Sequence, residues 1–549
     1  MQDFSGKEKA REAGAQGAVT AFVGGTILTM DRDGPRAEAV VIVDGRIAEV
    51  GTEAILAHYP GAKRIDLNGR ALLPAFIDSH NHLSFGCFLP LWADLKDAIT
   101  KDAILKVMEE QVKASDLEWV VGFPWNDAVQ GGQVTKQELD AICPDRPMAL
   151  IHGTFHKVML NSAALRAAGM DGPAGANPSR EIERGDDGEP NGVVHEVSEV
   201  AVLCMVTRCS TEEYADLIER RARSLVPYGI TAVQDPGVTP EAEAAYRLLH
   251  DEGRLPLSVL MMPHGRAILD NNIFGRLDGP VTGTGDELLR VGPVKLFADG
   301  GTSGDVANAG TVMGRPYKGA PPRPDFVEPL AGAIGRGFQV CVHSIGNMAT
   351  DAVLDAFEKA VKEAPEGMVV RPRIEHLFTM SDAQIARLAA IKGCASIQPF
   401  FFRRVGDNRK YCFDGYKWFP FGDLVRAGVV VSSSSDDPGF GAYAHVDPVQ
   451  GSLIGAAMGD AASPHHYPEQ AMPFEQWLWM YTAGAAYVGG VENERGMLKK
   501  GMMADLVVLS AADPKQGPAV VETWKAGKKV YDAEGGLIDS NGGGRAGGL

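Results

Sequence analysis

The chain has 549 residues, of which 45% are apolar and 23% charged, the make-up of an ordinary soluble globular protein rather than a disordered or fibrous one. Its 53 basic and 71 acidic residues leave a formal charge of −18, which argues against nucleic acid and anionic membrane surfaces as partners. The length exceeds one ordinary core, so a large barrel with a satellite domain is expected. Seven scattered cysteines, Cys87, Cys143, Cys204, Cys209, Cys341, Cys394 and Cys412, form no C-x-x-C pair and read as inert thiols of a reduced compartment. The opening MQDFSGKEKAREAGAQGA lacks a signal-peptide core and no stretch of about 18 apolar residues follows, so a cytoplasmic protein is expected.

In chain order, residues 1–17 read as a mobile leader. AFVGGTILTM, AEAVVIVDGRIAEVG and AKRIDLNGRALLP are short β segments parted by glycine and Asp-Gly turns, with Asp44-Gly45 a hairpin turn. Too few strands to bury a core alone, they need a second layer. ADLVVLS and VVETWKAGKKVYDAEG near the other end have the same texture. A composite β-sandwich from 18–71 and 490–539 is therefore expected, followed by a flexible tail over 540–549.

Between these ends, apolar runs alternate with helical periodicity, the pattern of βα units. Eight runs stand out: LLPAFIDSH (72–80), ITAVQD (230–235), LSVLMM (257–262), VGPVKLFAD (291–299), FQVCVHS (338–344), PRIEHL (372–377), CASIQP (394–399) and VVVSSSSD (429–436). Eight strands suit a TIM (β/α)8 barrel over 72–489. The gap after the first run is too long for one helix, so about 85–215 is expected to form an insertion over the barrel mouth.

Reacting groups of such barrels sit at the C-terminal strand ends, and metal-competent residues recur there. His80 and His82 share one face of a strand end, which is half a metal site or two polar residues in a loop. His343, His376 and Asp436 end the fifth, sixth and eighth runs. Lys295 lies among apolar residues in the fourth. A buried ammonium must be paired or changed, so Lys295 is either a CO2-derived carbamate bridging two ions or the partner of Asp299. Of Asp436 and Asp437, adjacent on a strand, only one should enter the mouth; a carboxylate beside a metal-activated water can shuttle its proton to a leaving amine.

Other candidates face the substrate. His152 and His156 lie at i and i+4, a spacing that a helix would align, and read as lid or substrate contacts. His195 and Glu196 could also face the site. Phe400, Phe401 and Phe402, with Tyr411, Phe413, Tyr416, Trp418 and Phe419 behind them, could receive an apolar group or pack the lid; Phe85, Phe88 and Trp125 are further pocket candidates. His58, His250, His264, His445, His465 and His466 lack a comparable setting. DGGTSG does not match a phosphate-binding loop.

VDGRI, FIDSHNH, GITAVQD, VKLFADG, VHSIGN, RIEH, SSDDP and GMLKKGMMADLVVL, in that order, resemble the amidohydrolase superfamily, in its branch of YtcJ-like proteins and N-substituted formamide deformylases. The resemblance covers nearly the whole chain. It implies a distorted barrel with a composite β domain and one or two divalent ions per chain, zinc foremost, that activate water. It also implies His80, His82, Lys295 as carbamate, His343 and His376 as ligands, with Asp436 as ligand and proton shuttle. Asn347 stands where relatives commonly have Asp. A homodimer or higher homo-oligomer is implied as well.

The expected function is metal-dependent hydrolysis of a non-peptide C–N bond, in an amide, formamide or carbamate, of a small substrate with a hydrophobic or aromatic substituent. The same site could instead cleave an ester, lactone or cyclic imide, or deaminate an aryl amine. A non-catalytic metabolite-binding relative is the third reading, and an intact ligand set argues against it.

Overall fold

The computed structural model describes residues 19–173, 182–196, 208–265, 271–405, 412–439, 446–459 and 467–538. The expected leader and the expected tail lie outside them, as do Cys204, Tyr411, His445, His465 and His466. The chain divides into two units, residues 1–76 with 492–549, and residues 77–491.

In the first unit, two sheets share one core. The smaller runs in the order Arg46–Gly51, Ala39–Val43, Thr20–Val23, Lys63–Asp66. The Asp44-Gly45 turn joins its first hairpin with both residues at positive φ, 49° and 76°, as a tight hairpin turn of matching twist requires. The larger sheet joins the two chain ends where Ala71–Pro74 pairs antiparallel with Leu506–Leu509, in a register that sets Leu72 opposite Val508. Phe22, Val40, Ile42, Leu72, Leu506, Val508 and Trp524 fill the space between the sheets.

The second unit holds the barrel, and its strands form two arcs. One runs Leu289–Val291, Ser258–Pro263, Ile230–Val238, Phe76–Asp78; the other runs Val294–Phe297, Val340–Ser344, Arg373–His376, Cys394–Ile397, Val430–Ser433. The second arc is parallel throughout. Few bonds join the arcs: at one seam the Asp436 N–H donates to His80 O at 2.7 Å and the His82 N–H to Asp437 O at 2.8 Å, and at the other His264 Nδ1 lies 2.7 Å from Lys295 O.

Two expected runs are each broken in two. LLPAFIDSH parts at Ala75, and only Phe76–Asp78 joins the barrel arc. VGPVKLFAD parts at Gly292-Pro293, because proline has no N–H to continue a ladder. These breaks distort the barrel and put its lysine segment at an arc edge.

Apolar side chains such as Val342, Ile374, Ala395 and Val431 pack in one cluster with Val353, Leu354 and Phe357 of helix Asn347–Glu363. On the other side the barrel is polar. Ser79 Oγ donates to Ser432 Oγ at 2.8 Å and lies 3.0 Å from Ser396 Oγ, and Arg373 donates to Ser79 O at 2.6 Å. Within 85–215, a six-stranded sheet from Ala93–Asp94 to Pro190–His195 encloses a separate core of Trp125, Leu150, Met159 and Val193. Helix Thr211–Leu225 begins at a Ser210–Glu213 capping box and buries Tyr214, Ile218 and Leu225. Among the described residues, no helix is long and apolar enough to cross a membrane.

One charge in the first unit is at odds with its surroundings. The amine of Lys525 is out of solvent and makes no hydrogen bond among the described residues. Burial pushes it down to about 7 against the opposing pull of Asp505, whose oxygens already take the Arg495 guanidinium at 3.4 Å and the Ala526 N–H at 2.8 Å. A lysine depressed from its ordinary value of 10.5 binds fewer protons folded than unfolded. Its cost is complete below the folded value and fades as the pH rises toward the unfolded one. Lys525→Met should therefore raise this unit's thermal midpoint by about 2–4 °C or more near pH 6, and by much less near pH 10. Calorimetry at both pH values checks this; no gain at the lower pH would contradict it.

Candidate active site

The six expected ligands, His80, His82, Lys295, His343, His376 and Asp436, line a single pocket. His80 and His82 follow the short strand Phe76–Asp78, and both Nε2 atoms stand 3.1 Å from the same Asp436 Oδ1. Ligand atoms of these three residues all lie within 4.8 Å of one another. The ring of His376 is 5.0 Å from that of His80 and 4.5 Å from that of His343.

Neighbouring acceptors set the tautomers. His80 Nδ1 lies 2.5 Å from Glu375 Oε2, His82 Nδ1 2.9 Å from Pro236 O, and His376 Nδ1 2.8 Å from Gln398 Oε1. Each acceptor holds a hydrogen on Nδ1 and leaves the Nε2 lone pair to a metal, the usual outer support of a ligating histidine. His343 is reversed: its Nε2 lies 3.4 Å from Gly300 O, so Nδ1 is its ligand atom. Among the described residues His80 Nε2 finds no aligned hydrogen bond despite full burial, as expected of a nitrogen aimed at an ion. This donor set fits a divalent metal.

The charges agree. Burial drives His343 well below its ordinary value and His376 down to about 3, so both stay neutral and ligand-ready. Burial would raise the Asp436 carboxyl, but His80 and His82 outweigh it and hold it well below the usual carboxylate range. Burial lowers Lys295, whose amine sits 4.8 Å over the Phe297 ring. The alternative pairing with Asp299 is not formed: the Asp299 oxygens accept the N–H groups of Ile345 (3.0 Å), Gly346 (2.8 Å) and Ala307 (3.1 Å) instead.

Local structure aims these groups. Asp436 and His376 have positive φ, 55° and 77°, a conformation uncommon outside glycine and held here by surrounding bonds. Asp78 accepts the Ser435 N–H at 2.9 Å and so fixes the turn into Asp436. Asp235 does the same after His82, accepting the Ser84 N–H at 3.1 Å. Asp437 turns away to pair with Arg221 in a buried ion pair, so one of the two adjacent aspartates enters the pocket. Asn347 pins the loop at Ala309, accepting its N–H at 3.0 Å and donating to its oxygen at 2.7 Å. His264 braces the lysine strand through Lys295 O at 2.7 Å.

The substrate candidates divide. Phe85 and His156 line the pocket; Trp125, His152, Phe400, Phe401 and Phe402 do not. Trp125 is the centre of the insertion's own core. His152 and His156 are in a hairpin rather than a helix, flanking the turn between Met148–His152 and Lys157–Leu160, so four-residue spacing does not align them. His152 is buried against Trp125, lowered to about 4, and bonds to Thr154 at 2.9 Å. Phe401 stacks behind His376 at 6.3 Å, and Phe402 packs on Phe419 and Tyr467. Phe413, Trp418 and Phe419 belong to the barrel's core, and Phe88 packs on Tyr214. His195 faces Glu183 at 3.3 Å. Thr154, Phe155, Phe297, Pro438 and Gly439 complete the lining, and single-residue reading of the sequence had no signal for them.

A parallel barrel with imidazoles and a carboxylate converging beyond its strand ends is the architecture of hydrolases that work with a bound metal. The profile of the Amidohydrolase family matches residues 63–531, and the chain belongs to that family, a hydrolase acting on carbon–nitrogen bonds. It is 28% identical to the N-substituted formamide deformylase of Arthrobacter pascens over 89% of this chain and 92% of that one. It is also 28% identical to the putative amidohydrolase YtcJ of Bacillus subtilis, over 90% of this chain and 95% of that one. Among solved structures it resembles an uncharacterized metal-dependent hydrolase from Pyrococcus furiosus, with a TM-score of 0.68 and 25% identity, over 90% of this chain and all of that one.

Glu375 is the ligand support that strand-end reading passes over. Burial alone would raise it, but the Arg373 guanidinium and His80 hold it ionised, with Arg373 Nε 2.6 Å from Oε1. Glu375→Gln should weaken metal affinity about 10- to 100-fold with the fold retained. Competitive metal titration followed by circular dichroism checks both halves.

Proposed function

We propose that this protein hydrolyses small non-peptide amides, formamides or carbamates whose nitrogen carries a hydrophobic or aromatic substituent, using one or two divalent ions, zinc foremost. The observation that carries the reading is the convergence of all six strand-end residues on one pocket, with His80 and His82 both 3.1 Å from Asp436 Oδ1. The similarity to a formamide deformylase over most of both chains supports the choice of bond. Mixed imidazole and carboxylate donors suit zinc.

His80, His82 and Asp436 would hold one ion, and His343 and His376 a second. Lys295 lines the same pocket and would serve both as a carbamate. Burial favours the neutral amine, which would add to CO2 and release one proton, leaving a buried carbamate anion that the ions would neutralise. When bound, the metal acts as a Lewis acid and makes hydroxide accessible near neutral pH.

The chain's own groups do the rest. Asp436 is ionised, and its Oδ1 lies between two imidazoles, so Oδ2 is the oxygen that takes a proton from the attacking water and returns it to the leaving nitrogen. Phe85, Phe155 and Phe297 line the pocket; they receive the apolar substituent and keep bulk water from the reacting carbon.

Turnover of a panel of N-alkyl and N-aryl formamides, amides and carbamates, scored by amine release, tests the reading. Chelation should abolish activity and divalent metal restore it. Asp436→Asn should lower kcat about 10²- to 10⁴-fold while metal-loaded protein remains folded. Metal-free protein reconstituted in CO2-depleted buffer should regain less activity than in bicarbonate. Full activity after exhaustive chelation, or ammonia as the sole product, would overturn the assignment.

A further inference from the structure

Three phenylalanines line the pocket, and their packing separates them. The Phe85 ring lies 6.0 Å from that of His82, and the Phe297 ring lies 5.3 Å from that of His343, with the Lys295 amine over it. Both rings therefore back the metal-competent side chains. Phe155 is different: its ring packs at 4.8 Å on Phe123, in the insertion's strand Val120–Trp125. Phe123 is buried and packs in turn on the buried Trp92 at 6.1 Å. In a close-packed layer, a ring backed by two more has no room to retreat.

The backbone at Phe155 is as unusual as its packing. Its φ is 61°, in the left-handed region that a bulky side chain enters only at a cost. The turn is held there from several sides. The Phe155 N–H donates to His152 O at 2.9 Å, the Thr154 N–H to His152 Nδ1 at 3.1 Å, and the Gly153 N–H to Trp125 O at 2.9 Å. Thr154 Oγ1 shares a hydroxyl contact with Ser303, in the loop after the lysine strand. A glycine would take the same backbone without strain, so the turn alone gives no reason for a phenylalanine. The reason lies in what its half-buried ring does on the pocket.

We propose that Phe155 is the residue that limits the size of the substituent on the substrate nitrogen. Phe85 and Phe297 flank the substituent beside the metal-competent residues; its far end meets the Phe155 ring, and the stack of Phe123 and Trp92 keeps that ring from yielding. Each methylene buried short of this wall adds to binding, and the first one beyond it finds the ring in its place. The inference rests on the C–N hydrolysis proposed above for the identity of the bound group and adds the residue that bounds it.

The test measures kcat/KM and metal content of holoenzyme on N-n-alkyl formamides of increasing chain length, beside the matching n-alkyl formate esters. For the wild-type enzyme kcat/KM should rise about 4-fold per carbon and then break downward. Phe155→Gly, which suits the left-handed turn, should move the break by about two carbons or more and raise the ratio of long-chain to short-chain kcat/KM about 10-fold or more. Phe155→Trp should move the break to shorter chains. Both variants should hold as much metal as the wild-type enzyme. A break that stays in place in both, losses equal at every chain length, or a loss of metal would overturn the proposal. An enzyme that cleaves only the esters fails the C–N reading, and movement of the break along the ester series then decides the role of Phe155 on its own.

Discussion

A single carboxylate, Glu375, joins the two halves of the barrel's problem. One oxygen takes the Arg373 guanidinium at 2.6 Å and the other approaches His80 Nδ1 at 2.5 Å. Arg373 in turn bonds to Ser79 O and Gln234, inside a barrel whose side chains are mainly small and polar. A buried charge of either sign is costly alone; the chain from guanidinium to carboxylate to imidazole keeps each group compensated. It also points His80 Nε2 into the pocket. The positions of Asp436 and His82 have meaning only because that first imidazole cannot turn.

Much of this was legible in the sequence because barrel chemistry is local to strand ends. His80, His82, Lys295, His343, His376 and Asp436 each follow or end an apolar run, and the fold places the ends of parallel runs together. Glu375 was hidden next to its neighbour: on an even strand its side chain points away from that of His376, and the positive φ at His376 breaks that alternation. The aromatic residues misled for a different reason. Phe400, Phe401, Phe402 and Trp125 are equally suited to a core and to a pocket, and only the packing of Phe419, Tyr467 and the insertion's sheet decides for the core. The helical spacing of His152 and His156 was likewise overridden by the hairpin that pairs Ala149 with Leu160.

The pocket divides its labour by origin. The barrel supplies the metal-competent side chains, with His80, His82 and His376 each held by a bond at Nδ1. The insertion supplies Thr154, Phe155 and His156 from one turn, and the loop after the lysine strand supplies the surface on which that turn rests, with Thr154 and Ser303 sharing a hydroxyl contact. The metal-competent side chains and the turn's share of the lining therefore come from different pieces of chain. Relatives that keep the strand ends while varying this turn can share a chemistry and differ in substrate.

The ion pair of Arg221 with Asp437 sets a boundary on that freedom. Asp436 and Asp437 are consecutive: the first enters the pocket, and the second is anchored to helix Thr211–Leu225, the element that leads from the insertion back into the barrel. An engineered graft that exchanges the 152–157 turn leaves this anchor whole. A graft that takes the insertion through to residue 225 brings a foreign helix against a buried aspartate and unseats the residue beside it. The workable splice points for retargeting this enzyme lie before residue 211.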